Sequence, residues 1–460
     1  MNFIIIGLFF TIMLAVGIIS MKNIHTMAGY AVADRRAGAA VVTGSLLATV
    51  VGGSSTIGLA GLGYSLGLVG AWWLLVGAVG LTVLGTVFAR RIRETNAYTL
   101  PEILERQYGG SSARLAASTL IVIAWLGIIA AQMIAAGKIL AVLWPGQTEI
   151  LTVTAALVFI VYTALGGQYS ILRTDAIQAV IIAAGIVFCL VFGIDAAGGG
   201  ARLLQALPEE SLSFPISAGF GWNDLVTFLF FVGAAYLVGP DIYSRILSVR
   251  DAADARRVLL VTAACLVIIA FAVVFIGMTA RVLLPDIQPE SALPALVMNV
   301  VPRGLSGLVV AALLAAIMSS ADSCLLTAGT VLTSDILGSL RKELPGERVM
   351  LLLTRASVAI VGLVSLMVAL ELGGVIASLL LAYTVYSAGI VIPVVLGFYR
   401  ERLRLNSRGA VASMVVGGAV GGGLKFFGCD EYVLMALVVS VVLLFGVSYG
   451  SRYFFQKKEA

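Results

Sequence analysis

Histidine, cysteine and charge are all scarce in this chain. There is one histidine, His25, and four dispersed cysteines among 460 residues, and charged side chains make up 12% of the total. Dispersed cysteines form neither a disulfide framework nor a metal cluster. No nucleophile–base pair or metal-ligand set is present, so we expect neither an enzyme nor an organic cofactor. Soluble domains carry about 25% charged residues, and the low charge here excludes that class.

Hydrophobic residues dominate instead, at 60% of the chain with a mean hydropathy of +1.07. This composition predicts an all-α polytopic membrane protein with about 13 transmembrane helices in contact with the lipid bilayer. The first run lacks a basic leader, which favours a retained span over a signal peptide. The predicted spans are 3–20, 38–68, 70–88, 112–143, 149–165, 170–192, 221–238, 258–284, 303–336, 350–370, 374–398, 408–427 and 431–451.

The basic residues indicate the orientation, because loops rich in lysine and arginine stay in the cytoplasm. Most of the 29 basic residues fall in alternate loops, among them Arg245 and Arg250 after the seventh run. We expect a multi-pass protein of the plasma (cytoplasmic) membrane, with its N-terminus outside and its C-terminus in the cytoplasm. The net charge of +5 is spread over short loops, so no nucleic-acid partner is predicted.

The most informative stretch is 311–336, an apolar run with polar residues at its centre. At about 100° per residue, Ala316, Ser319, Ser320 and Ser323 form one stripe of a helix, and Asp322 lies at its margin. Hydroxyl and carboxylate oxygens suit a hard cation. A polar helix–helix contact is the alternative, but a carboxylate in the bilayer requires a partner, which favours an ion site.

Two other runs are predicted to be interrupted helices. The run 38–68 would be about 46 Å long as one helix, against a bilayer core of about 30 Å, and Gly52-Gly53 lies at its centre. A kink without unwinding is the alternative. The seventh run ends in Gly239-Pro240, which breaks a helix. Each interrupted run begins a block of five spans, and paired interrupted helices in inverted halves indicate a transporter's binding site.

Four stretches resemble the sodium:solute symporter family. They are LATVVGGSSTIGLAGLGYSLGL, GGQYSILRTDAIQ, AAIMSSADSCLLTAGTVLTSDI and GPDIYSRILSVRDAADARR, the last with Ser244 where the family usually has glutamine. The SSADS string is most similar to the choline-transporter branch. The resemblance implies a LeuT-type, five-plus-five inverted repeat with one extra N-terminal and two extra C-terminal helices. The resemblance implies that residues 38–194 and 221–398 form the two repeats, joined by an outer loop at 195–220. Residues 1–37 form the extra N-terminal helix and its loop, and residues 399–460 form the two C-terminal helices and a cytoplasmic tail.

The resemblance also implies ion sites. The family's shared sodium site maps onto the carbonyls of Ala48, Val51 and Ala316 and the hydroxyls of Ser319 and Ser320. A second ion site of some members maps onto Asp175, Ser319, Asp322 and Ser323. Asp322 stands where those members have serine, so the second site could bind sodium, take a proton or contact the solute.

The solute site is implied beside the interrupted helices. Its expected residues are Gly53, Ser54, Ser55, Trp72, Trp125, Ala235 and Tyr236. The polar pocket of sugar-carrying members is not kept, and Trp72 and Trp125 match aromatic positions of the choline branch. Asp241 replaces a third aromatic residue there. Interfacial anchoring is the alternative for Trp72, Trp73 and Trp144.

The combined expectation is a Na+-coupled symporter that imports a small polar organic solute by alternating access, with Na+ as the co-transported ion. An H+-coupled carrier using Asp322 is one alternative. A transporter-like sensor is another, disfavoured because the sequence ends shortly after its last run without an output domain. The sequence identifies neither the solute nor any protein partner.

Overall fold

The computed structural model describes residues 2–21, 26–141, 144–339, 346–372 and 374–459, so Lys22 and His25 lie outside the described residues. The described chain is helical, and its only β pairings are two isolated bridges, Ala37 with Val249 and Ser217 with Phe220. The first ten α-helices are α1 (Asn2–Met21), α2 (Met27–Val32), α3 (Ala39–Val50), α4 (Leu59–Leu66), α5 (Trp72–Val83), α6 (Ala89–Glu94), α7 (Leu100–Tyr108), α8 (Ser111–Ala141), α9 (Thr148–Ala196) and α10 (Gly200–Ala206).

The second half of the chain continues the pattern of long apolar helices joined by short connections. Its helices are α11 (Trp222–Thr227), α12 (Ala234–Val238), α13 (Pro240–Ser248), α14 (Ala252–Leu283), α15 (Ala292–Val300), α16 (Arg303–Val331), α17 (Glu347–Leu372), α18 (Val375–Gly397), α19 (Arg400–Leu403), α20 (Ser407–Phe426) and α21 (Val433–Glu459). Wider π-helical turns occur at Ser54–Gly58, Leu84–Phe88, Phe228–Gly233 and Leu332–Leu337, and 3₁₀ turns at Ala33–Arg35, Gly67–Ala71, Glu209–Leu212, Pro289–Ser291 and Asp430–Tyr432.

Ten helical stretches in the described residues are long and apolar enough to cross a membrane. Two of them, Ser54–Glu94 and Thr148–Ala196, exceed one crossing at 41 and 49 residues. Each bends at a glycine with positive φ, Gly67 (φ 75°) and Gly167 (φ 59°), a conformation that side chains with a Cβ rarely adopt. The polytopic all-helical class is confirmed, and the total of 13 spans stays a prediction.

Helix α16 lies at the centre of the bundle. It packs against α9, α8, α17, α3 and α1. In the most apolar 18-residue segment of Leu305–Leu337, 94% of the residues are buried. In the most apolar 18-residue segments of α20 and α21, only 39% and 33% of the residues are buried, as expected of helices at the periphery. The serines and the aspartate of α16 therefore face protein on every side, where each polar atom needs a partner.

Candidate functional site

Helix α3 is interrupted at the predicted glycine pair. It ends at Val50, and Val51 has the non-helical angles φ −87° and ψ 60° before the chain resumes as a π-helical turn. The interruption frees backbone carbonyls, and nearby hydroxyls bind some of them. Ser55 Oγ donates to the Val50 carbonyl and Thr56 Oγ1 to the Gly52 carbonyl, each at 2.8 Å. The prediction of an unwound segment is confirmed.

The glycines are needed for close helix contact as well as for the interruption. A Cβ on Gly52 would lie 2.2 Å from Ser320 Oγ, and a Cβ on Gly53 would lie 2.6 Å from the Cβ of Ala135. The Gly53 amide donates to Gln132 Oε1 at 2.8 Å. Glycine therefore lets α8 and α16 approach the interrupted backbone more closely than any other residue would allow.

The serine hydroxyls of α16 meet the last carbonyls of α3. Ser319 Oγ donates to the Ala48 carbonyl at 2.9 Å and to the Ala316 carbonyl at 3.0 Å. Ser320 Oγ donates to the Thr49 carbonyl at 2.5 Å and to the Ala316 carbonyl at 3.2 Å. The structure thus brings together Ala48, Ala316, Ser319 and Ser320. It adds the Thr49 carbonyl, which the sequence analysis did not name.

This cluster of neutral oxygens suits Na+. Carbonyl and hydroxyl oxygens are hard ligands without charge, and the hydroxyl protons can rotate away so that the oxygen lone pairs face a cation. Val51 lies at the interruption itself, next to the cluster in sequence. We find no thiol or imidazole among these residues, so the donor set does not favour zinc or copper.

A buried arginine occupies the second predicted ion site. Arg245 Nη2 lies 3.1 Å from Asp175 Oδ2, and both side chains are fully buried. The guanidinium also donates to Thr49 Oγ1 at 2.7 Å, to Ser45 Oγ at 3.2 Å and to Ser323 Oγ. Four helices, α3, α9, α13 and α16, therefore meet at one charged group.

The position of Arg245 corrects the sequence analysis, which counted it as a cytoplasmic loop residue. It lies within α13, the nine-residue helix that starts directly after the Gly239–Pro240 break. Assigning basic residues to cytoplasmic loops assumes that every lysine and arginine side chain is in contact with water. Arg245 is instead buried and paired with Asp175. The sequence did contain one indication that Arg245 is not in a loop. It lies in a strongly amphipathic segment that starts at a helix break and has a single arginine near apolar residues.

Asp322 has no such partner. It is fully buried, and neither of its carboxylate oxygens has a hydrogen-bond partner among the described residues. Asp175 Oδ1 is likewise without one. The Asp322 carboxylate is repelled by Asp175 and attracted by Arg245. A buried carboxylate without a partner is costly, so this region can accept a cation.

The second interrupted helix is held by α18. Helix α12 ends at Val238, Gly239 has φ −59° and ψ 120°, and α13 starts at Pro240. Tyr386 Oη donates to the freed Val238 carbonyl at 2.6 Å. Ser387, the next residue of α18, donates to the Phe231 carbonyl at 2.7 Å. The prediction of a break at Gly239-Pro240 is confirmed.

A cavity of about 50 Å³ lies between the two interrupted helices. Four of the residues expected to bind solute line it: Ser54, Trp125, Ala235 and Tyr236. The remaining lining residues are Thr49, Val50, Ile128, Gln132, Gly239, Asp241, Ile242, Ser320, Cys324 and Tyr383. Thr49 and Ser320 belong to both the cavity and the serine–carbonyl cluster, so the two sites share residues.

Three expected solute residues do not line this cavity. Gly53 and Ser55 lie behind it and bind neighbouring backbone or side-chain groups. Trp72 lies beside the loop that follows α10, where its Nε1 donates to the Pro215 carbonyl at 2.9 Å and its ring stacks on Phe214. Trp73 is fully buried, so the interfacial-anchor interpretation was wrong for that residue.

Comparisons with known proteins find similar transporters. The sodium/pantothenate symporter of Escherichia coli is 26% identical over 405 residues, covering 83% of both chains. The sodium/mannose cotransporter of Bos taurus is 28% identical, covering 74% of this chain and 64% of the relative. The solved structure of a Na+-coupled sialic acid symporter, substrate-bound and outward-open, aligns with a TM-score of 0.82 at 20% identity, covering 97% of each chain.

The structural neighbours share the LeuT-type fold, which confirms the fold inferred from the resemblance. The family model described as "Sodium:solute symporter family" matches residues 30–417, most of the length of the sequence. That match includes both interrupted helices, the serine stripe of α16 and the cavity between them. The chain is a multi-pass membrane protein and belongs to the sodium:solute symporter family.

Proposed function

We propose that this protein is a Na+-coupled symporter that imports a small polar organic solute across the cytoplasmic membrane by alternating access. The observation that carries the proposal is the meeting of Ser319 and Ser320 with the last carbonyls of α3. The relatives differ in solute, with pantothenate, mannose and sialic acid in their names, and have sodium in common.

The shared residues of the two sites supply a coupling mechanism. Na+ would draw the α3 carbonyls and the α16 hydroxyls together, and this fixes Thr49 and Ser320 in the cavity wall. Solute would then bind a wall that Na+ has ordered, so each ligand raises the affinity for the other. The membrane potential adds about 2.3 kcal/mol per charge per 100 mV to the driving force.

The two ion sites are formed by residues from both halves of the proposed inverted repeat. In this proposal residues 38–194 and 221–398 are the two repeats, each contributing one interrupted helix, and 1–37 and 399–460 flank them. The N-terminus is outside and the C-terminus cytoplasmic. The shared sodium site is Ala48, Val51, Ala316, Ser319 and Ser320, and a second ion binds at Asp322 with Asp175 and Ser323 nearby.

A ligand screen tests the function and narrows the solute. Purified protein is heated with amino acids, monocarboxylates, polyols, amines, nucleobases and vitamins, in NaCl and in KCl of equal ionic strength. A ligand that binds the native state raises the melting temperature by mass action. We expect a hit that needs Na+ and that is then taken up by proteoliposomes under an inward Na+ gradient. Equal stabilisation and uptake in KCl would overturn Na+ coupling.

A further inference from the structure

The cavity between the two interrupted helices has an acidic wall. Among the described residues that line it, Asp241 is the only one that carries a charge at neutral pH, and the other polar lining residues are neutral. No lysine or arginine occurs in that set, so nothing in the described wall is suited to an anionic group of the solute. A solute that enters this cavity meets one carboxylate and no positive charge.

The Asp241 carboxylate lies close to other residues of the cavity wall. A Cβ added at Gly239 would lie 3.1 Å from Asp241 Oδ1, so a side chain at that position would crowd this oxygen. The carboxylate also acts electrostatically on Tyr236, Cys324 and Tyr383, which line the same cavity. The charged end of Asp241 is therefore part of the surface that the solute meets.

Arg245 attracts the Asp241 carboxylate without pairing with it. Its Nη1 donates to the main-chain carbonyl of Asp241 at 3.1 Å, and its Nη2 lies 3.1 Å from Asp175. None of the ion pairs in the described part of the chain includes Asp241. Arg245 offsets the charge of Asp175, and the proposed second ion offsets that of Asp322, so Asp241 is left without a counter-charge.

The surroundings of Asp241 favour a cationic solute. Asp241 lies in the first turn of α13, where the helix dipole stabilises a negative charge. A neutral or anionic solute would cover this carboxylate without supplying a counter-charge, which is costly. A cationic solute avoids that cost. The rings of Trp125, Tyr236 and Tyr383 in the same wall add to the attraction, because aromatic faces attract cations.

We propose that the solute carries a primary or secondary ammonium group and that Asp241 binds this group through a charge-assisted hydrogen bond. This inference rests on the proposed function and names the chemical class of its solute. An ammonium with an N–H donates directly to the carboxylate, and such bonds are about twice as strong as those between neutral groups. A quaternary ammonium has no N–H and gains only the charge attraction and the aromatic contacts.

Matched sets of probes, added to the ligand screen, test the class of the solute. Each set contains an amine, its N-trimethyl form and the form with hydroxyl in place of nitrogen, built on ethanolamine, glycine, alanine, β-alanine and γ-aminobutyrate. The melting temperature is followed against probe concentration in NaCl and in KCl, which gives the affinity by mass action. We expect every Na+-dependent hit of the screen to carry an N–H ammonium. Its trimethyl and hydroxyl forms should bind at least about tenfold more weakly.

A Na+-dependent hit that is neutral, anionic or quaternary, and that binds as well as its amine form, would overturn the inference and leave the proposed symport standing. A screen without any Na+-dependent hit would instead refute the symport on which the inference rests. The selectivity of the unchanged protein decides the class of the solute even where a variant does not fold.

Variants of Asp241 test the residue itself. Asp241→Asn should bind the amine at least about tenfold more weakly, whereas Asp241→Glu keeps the charge and should still prefer the amine to its hydroxyl form. Asp195→Asn is the matched control, because Asp195 is exposed near the end of α9, and its affinity for the amine should equal that of the unchanged protein. An unchanged amine affinity in Asp241→Asn, or loss of the preference in Asp241→Glu, would overturn the assignment of Asp241.

Discussion

The hydroxyl of Ser320 lies 2.5 Å from the carbonyl oxygen of Thr49, which joins the centre of α16 to the interrupted end of α3. This contact exists because no side chain intervenes at Gly52, where a Cβ would lie 2.8 Å from the Cβ of Ser320. Helix interruption, close packing and ion site thus depend on the same few atoms.

Gly52→Ala is expected to separate these two helices. The added methyl cannot be accommodated by a rotamer change, because it meets the Ser320 Cβ as well as its oxygen. We expect a loss of about 1–3 kcal/mol in stability, typical of overpacking, and a strongly reduced Na+-dependent rise in melting temperature. Gly423→Ala in α20 is the matched control, since no described atom of a neighbouring helix lies within 4 Å of its added Cβ. Equal behaviour of the two variants would contradict the close-packing argument.

Tyr386→Phe tests how the second interrupted helix is held. Removing the hydroxyl leaves the buried Val238 carbonyl without its 2.6 Å partner, and an unsatisfied buried acceptor costs about 1–3 kcal/mol. The melting temperature in detergent should fall accordingly. Tyr432, whose side chain is mostly exposed, is the control, and Tyr432→Phe should melt like the unchanged protein. If both variants melt alike, the bond contributes nothing.

Arg114→Gln should be far more harmful than Arg90→Gln. Arg114 Nε lies 2.6 Å from Asp335, which is fully buried, whereas the Arg90–Glu94 pair is largely exposed. Breaking a buried pair leaves an uncompensated charge and costs about 3–5 kcal/mol. Thermal melting of the two variants checks this. A similar small shift in both would show that Asp335 does not depend on Arg114.

Labelling of cysteine tests the proposed orientation. Cys429 is exposed, and the predicted topology places it on the outer face, while Cys189 and Cys324 are buried. Cys265 is partly exposed but lies within the long apolar helix α14, where a membrane-impermeant reagent does not reach it. A membrane-impermeant maleimide should therefore label intact cells, and Cys429→Ser should abolish that labelling. In the Cys429→Ser background, Glu401→Cys should react only after the cells are permeabilised. Labelling of Glu401→Cys in intact cells would reverse the topology.

The sequence predicted those features of the structure that depend on residues close to one another in the chain. Glycine pairs and Gly-Pro marked both helix breaks, and the spacing of Ser319, Ser320 and Asp322 placed them together on one buried helix. Long-range pairing was not predictable in the same way. Arg245 was assigned to a loop because nothing near it in sequence reveals Asp175, 70 positions away.

The aromatic residues show the same limit. Trp72 and Trp73 are neighbours, yet one contacts the loop that follows α10 and the other is fully buried. A tryptophan near the end of a span is expected at the membrane–water interface. Tertiary packing, however, decides which face of α5 points toward the protein interior. Tyr383 also lines the cavity, although it was not among the residues expected to bind solute.

The most direct test of the account is Na+ binding to the variant with both Ser319→Ala and Ser320→Ala. Calorimetric titration of Na+ into the purified protein gives the affinity, and Ser65→Ala is the control, because among the described residues the Ser65 hydroxyl bonds to two carbonyls of its own helix, those of Gly61 and Leu62. We expect the double variant to bind Na+ at least about tenfold more weakly, which corresponds to about 1.4 kcal/mol, and the control to be unchanged. An unchanged Na+ affinity in the double variant would show that the ion does not bind where α3 meets α16.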